Sequence, residues 1–132
     1  MTRESASRLF FWAAVFNWVI ALGLFFVPGP FLGLIQVTPA PEQTVWVQQF
    51  AGLVFFFGVG YYWLSRDFEK NIPLARLAIW GKWGVVVIAL LNVWRGDISW
   101  QLMLPAAADG VFALLFLRAI RSLPQWQTAS PV

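Results

Sequence analysis

The chain has 132 residues, 60% hydrophobic and only 11% charged, with a mean hydropathy of +0.69 and a formal net charge of +3. Soluble domains carry about 25% charged residues, so this composition excludes an ordinary water-soluble fold and fits one membrane domain. Cysteine and histidine are both absent, which excludes disulfides, thiol chemistry, His-ligated haem or zinc, and any Ser-His-Asp or Cys-His nucleophilic centre.

Residues 1–8, MTRESASR, are polar and basic, and residues 9–27 then form an apolar run. A secretory signal peptide starts similarly. This run is too long and too aromatic, and its exit, Phe-Phe-Val-Pro-Gly-Pro, has no Ala-x-Ala-like site. It is therefore expected to be a retained first span, closed by Pro28 and Gly29. Residues 28–47 hold four prolines, one acid (Glu42) and no Lys or Arg. Their apolar patch at 31–35 is too short to span and is expected to rest on the membrane interface.

The second span is predicted over 48–65, with Gly52, Gly58 and Gly60 permitting close approach of a neighbouring helix. At its far end Tyr61, Tyr62 and Trp63 read as an interfacial belt. Residues 66–73 form a charged connector, and Pro73 suits the first turn of a third span over 74–94. A tight turn at 95–99 leads to the fourth span, 100–120, expected to kink or loosen at Pro105. The Pro-containing segment 121–132 reads as a flexible tail. Four spans with short connectors predict an all-α fold, an integral membrane four-helix bundle running up-down-up-down. Seven of the basic residues (Arg3, Arg8, Arg66, Lys70, Arg76, Arg118 and Arg121) fall on one side and Arg95 alone on the other, so both termini are expected to be cytoplasmic. The basic residues sit at the ends of apolar runs and form no patch, so no nucleic acid is expected as a partner.

Lys82 lies inside the third span, too deep to be an end anchor. A charge at mid-membrane costs roughly 2.5–3.5 kcal/mol on insertion scales, and such a group normally faces a partner or a wet cavity. The one acid at comparable depth is Asp109. Counted from the basic side, Asn17 is nine residues from Arg8, Lys82 eight from Leu74, and Asp109 nine from Arg118. At ~1.5 Å per residue all three lie about 12–14 Å deep. The third and fourth spans are antiparallel neighbours, so Lys82 and Asp109 are expected to meet, with Asn17 satisfying a remaining valence. The lysine's face continues through Ala75, Ala78, Val85, Ala89 and Asn92, and the facing stripe carries Pro105, Asp109, Phe112 and Phe116. Trp80 and Trp83 flank Lys82, either facing lipid or walling a ligand site. Two readings of the pair stay open: a lock on helix register, or a site for a substrate, proton or ligand.

The chain resembles the small bacterial four-helix membrane proteins of the DoxX-like kind. The resemblance covers residues 8–118. It rests on the helix from Arg8 to Phe26-Val27-Pro28, on Gly52 through Gly58-Val59-Gly60-Tyr61-Tyr62, on Gly81-Lys82, and on Asp109 followed by Phe112-Ala113-Leu114-Leu115-Phe116-Leu117. It implies a bacterial inner-membrane protein, in some relatives an accessory subunit of redox enzymes at the quinone level; thiol-based roles do not carry over to a chain without cysteine. Three functions compete: a non-catalytic subunit or assembly factor, a small-molecule or proton carrier using Lys82 and Asp109, and, weakest, an intramembrane enzyme. No cofactor is expected, and a lipid- or quinone-binding role fits under either of the first two. The expected partners are the bilayer and either other membrane subunits or further copies of the chain.

Overall fold

The first helix begins well before the apolar run. In a computed structural model, which describes residues 1–129, Thr2 and Ser5 form a capping box: the Thr2 hydroxyl accepts the Ser5 N–H at 3.1 Å, and Ser5 Oγ accepts the Thr2 N–H at 2.9 Å. With those donors satisfied and no breaker following, the polar opening is helical. Helix α1 runs Arg3–Phe26, α2 Pro28–Leu34, α3 Thr44–Arg66, α4 Ile72–Arg95 and α5 Met103–Thr128, with 3-10 turns at Glu69–Asn71 and Trp100–Leu102. No strand occurs among the described residues.

Four of these helices, all but α2, are long and apolar enough to cross a membrane. The shortest, α3, has 23 residues and reaches about 35 Å, against a hydrocarbon core of about 30 Å. They run up-down-up-down. α1 packs most extensively on α3 and α4 on α5, and the two hairpins meet more sparingly through α1–α5 and α3–α4. Small residues set the close approaches: Ala6, Ala13, Ala14 and Ala21 on α1, Ala75, Ala78 and Ala89 on α4, and Ala106, Ala113 and Ala119 on α5 are all buried. Of the α3 glycines, Gly58 is the tight one, since a Cβ there would lie 2.7 Å from the Trp18 indole nitrogen; Gly52 has open space around it.

The core fills the half of the bundle where α1 begins and α5 ends. Phe10 stacks on Phe68 at 5.2 Å and on Phe116 at 4.4 Å, and Tyr61, Leu64, Leu123 and Trp126 complete the cluster. Phe68, within the charged connector, is thus a core residue. The expected flexible tail is also corrected. The helix continues through Pro124 to Thr128, because the Trp126 indole packs edge-on against Phe68 at 5.7 Å and donates to the Met1 carbonyl at 2.7 Å. Residues 130–132 of that predicted tail lie outside the described residues. Pro105 introduces no mid-helix kink: it falls in the first turn of α5, where its missing N–H has no intrahelical partner to lose.

At the opposite end, α4 stops at Gly96, whose positive φ of 78° lets the Gly96 and Asp97 N–H groups return to the last carbonyls of the helix. The long first connector is ordered. Its patch at 31–35 lies largely within α2, where the Phe31 ring occupies the space beside Gly23. Thr38 and Ser99 then tie the two connectors together: the Ser99 N–H donates to the Thr38 carbonyl at 2.7 Å, and the Thr38 N–H to Ser99 Oγ at 2.9 Å. On the outer surface Trp12, Trp46, Trp63, Trp80, Trp94 and Trp100 are all exposed, the aromatic coat of a protein that meets lipid and headgroups.

Candidate functional site

Lys82 stands on the Ala75–Ala78–Ala89 face of α4, where small neighbours let α5 come close enough for its side chain to cross. Its ammonium donates to Asp109 Oδ1 in an ion pair between α4 and α5. Lys82 is 4% exposed, whereas 19% of the Asp109 side chain remains at the bundle surface. The pair joins the two helices that the depth matching places side by side.

Three rings surround the ammonium. Tyr61 and Phe112 have their centroids 5.3 Å from Lys82 Nζ, and Phe16 lies at 5.9 Å. Each is within the ~6 Å at which a ring face attracts a cation, an attraction that strengthens to about 2 kcal/mol when desolvated. Rings from α1, α3 and α5 therefore enclose a lysine from α4, and all four long helices meet at this layer.

The sequence-predicted residues divide. Lys82 and Asp109 come together. Asn17 is buried at the same layer, but it does not bond to the pair: its Nδ2 donates to the Val54 carbonyl of α3 at 3.1 Å. Asn17 links α1 to α3 in the way the ion pair links α4 to α5. Asn92 is remote, near the end of α4, where its side chain donates to the Ile88 carbonyl at 2.8 Å. Trp80 is 76% exposed and Trp83 38% exposed, so neither walls the lysine; successive helix positions put them on other faces than Lys82.

Of the aromatic wall, Phe112 stands on the stripe predicted to face Lys82, whereas Phe16 and Tyr61 were not expected there. Tyr61 was expected in the interfacial belt and is instead 2% exposed, whereas its neighbours Tyr62 and Trp63 do face outward. The available signal was the helical spacing of Tyr61 with Gly58, Leu64 and Ser65, all buried on the same side of α3.

Outside the spans, Asp67 is held below the usual carboxylate range, first by its hydrogen bond from the Lys70 side chain, which lies 3.0 Å from Asp67 Oδ2. Arg3 pairs with Glu69 at 2.8 Å and also donates to the Trp126 carbonyl at 3.1 Å, fastening the start of α1 to the connector and to the end of α5. Among the described residues no three His, Cys, Asp or Glu side chains converge as metal ligands would.

Fold and site together define an all-α bundle with four helices of membrane-spanning length and one internally neutralised ion pair at mid-span. No protein-family model, curated protein or solved structure matches the chain.

Proposed function

We propose that this is a non-catalytic integral membrane protein, a subunit or assembly factor of a larger complex in the bacterial inner membrane, with both termini in the cytoplasm. One observation carries the reading: the two mid-span charges are spent on each other, with Lys82 enclosed by three aromatic rings. An enzyme needs a nucleophile, a base and an orienting group held available to substrate, and a lysine wrapped in this way offers none of them. The layer works as a lock, since shifting either helix by one turn would strand a charge in a low-dielectric interior. The exposed tryptophans supply apolar area for neighbouring subunits, and the seven-to-one distribution of basic residues supports the orientation. The likeness to DoxX-like accessory proteins belongs to the same proposal.

The test is extraction of the tagged chain from native membranes into polymer-bounded discs, followed by mass measurement and subunit identification. A stoichiometric assembly with other membrane subunits, well above the 15.0 kDa of the chain, is expected. Particles containing this chain alone would overturn the subunit reading.

A second reading, a proton or small-solute carrier, is favoured by one feature: Asp109 keeps part of its side chain at the surface while Lys82 does not. Proteoliposome flux abolished by Asp109→Asn, with the fold intact, would select it.

A further inference from the structure

We propose that the seam between α1 and α3, at the end where α1 begins, binds the headgroup of an anionic membrane phospholipid. A cleft of about 250 Å³ opens there, lined by Ser7, Arg8, Phe11, Tyr62, Ser65 and Arg66. Two arginines from different helices thus line one small volume, and a pair of guanidiniums is the means by which proteins recognise a phosphate through paired N–H donors. Arg66 makes no ion pair among the described residues. Arg8 is paired only with Glu4 one turn earlier on its own helix, and both side chains are largely exposed; such a pair is weak and yields to a competing anion. The adjoining acids Asp67 and Glu69 are already engaged, by Lys70 and Arg3.

The floor of the cleft leaves donation to the arginines. The Ser7 hydroxyl donates to the Ser65 carbonyl at 2.6 Å, and the Ser65 hydroxyl to the Tyr62 carbonyl at 2.6 Å, so both serine protons are already used. The partly exposed Tyr62 phenol is the remaining neutral donor at the rim.

Below the cleft the seam turns apolar. Arg8, Phe11, Val15 and Trp18 recur at helical spacing on α1, and Arg66, Tyr62 and Phe55 on α3. Trp18 bridges the two stripes, its ring 6.3 Å from Phe55 and 6.1 Å from Tyr62. A cationic mouth continuous with an outward strip of exposed aromatic side chains, Phe11, Tyr62 and Phe55, has the polarity of a glycerophospholipid. A soluble phosphate would use only the mouth, and an acidic protein segment would leave the aromatic strip uncovered.

The experiment follows thermal unfolding of the purified chain in neutral detergent on addition of phosphatidylglycerol, phosphatidylcholine with the same acyl chains, glycerol 3-phosphate, or a soluble oligoglutamate. Phosphatidylglycerol is expected to raise the midpoint by several degrees, and the other three to leave it unmoved. R8Q/R66Q should abolish the shift, and R66Q, which breaks no ion pair, should reduce it by about half. R118Q/R121Q, which removes two basic residues of the same end on α5, should keep it in full. Loss of the shift in R118Q/R121Q as complete as in R8Q/R66Q would reduce the effect to diffuse charge and overturn the site. An equal shift with glycerol 3-phosphate would make it a free-phosphate site, and an equal shift with oligoglutamate a protein contact; either overturns the proposal, as does the absence of any shift in the unsubstituted chain. The result is independent of the subunit reading, because it is read on the isolated protein.

Discussion

Replacing Lys82 by Met removes the ammonium and keeps most of the side-chain volume, leaving Asp109 without its ion-pair partner across the helix pair. Breaking a buried ion pair from one side costs about 3–5 kcal/mol, because the surviving charge remains desolvated. The structure divides that range between the two partners. Asp109, with 19% of its side chain at the surface, can turn outward when Lys82 is lost, whereas the lysine, 5% exposed along its side chain, has no such exit when Asp109 is lost. Lys82→Met is therefore expected near the lower end, about 3 kcal/mol, and Asp109→Leu near the upper end, about 5 kcal/mol. The ring attraction at 5.3–5.9 Å keeps the stranded ammonium from costing still more, and Tyr61→Leu should deepen the Asp109→Leu defect. The double variant Lys82→Met/Asp109→Leu leaves no charge in the layer and should regain most of the loss, since apolar replacements of buried pairs are often neutral or stabilising. Equilibrium unfolding in mixed micelles, run on the four proteins as a double-mutant cycle, measures the coupling directly. Single variants as stable as the parent, or losses that simply add in the double, would refute the reasoning, because the two side chains would then not depend on each other.

Trp126→Ala should destabilise by about 3–5 kcal/mol, the usual cost of emptying a buried aromatic position, and melting in detergent with Trp126→Phe as a partial rescue would check it; an unchanged midpoint would restore the flexible-tail expectation. Gly58→Ala should cost about 1–3 kcal/mol by overpacking against Trp18, whereas Gly52→Ala, with nothing near the new methyl, should be neutral or slightly stabilising in the same assay.

The spans were legible because hydropathy, proline positions and the charged connectors agree about them. The Lys82–Asp109 contact was legible because a short turn fixes α4 and α5 as antiparallel neighbours, so depth alone pairs the two charges. The enclosure was not. Phe112 was legible by its spacing from Asp109, but in a chain with thirteen Phe and nine Trp aromaticity cannot separate Phe16 and Tyr61, which face inward, from Trp80 and Trp83, which face outward; the helix rotations that do so are set by packing between hairpins. Helix ends were missed for local reasons. Thr2 and Ser5 cap a polar stretch that hydropathy ignores, and Trp126 draws the chain through Pro124 by a tertiary contact that outweighs the proline's lost hydrogen bond. Asn17 was placed at the right depth and given the wrong partner, because depth does not tell which neighbouring helix a side chain faces.

Membrane crossing with this topology is tested most directly by labelling single cysteines in intact cells with a membrane-impermeant maleimide, against a parent that has no cysteine of its own. Substitutions at Thr2 and Lys70 should be protected until the membrane is permeabilised, and those at Thr44 and Gly96 should react at once. Ser130, at the far end of the chain, is expected to behave as Thr2 does. Immediate labelling at Lys70 would contradict the orientation, and identical labelling at all of these positions would contradict a chain that crosses the membrane four times.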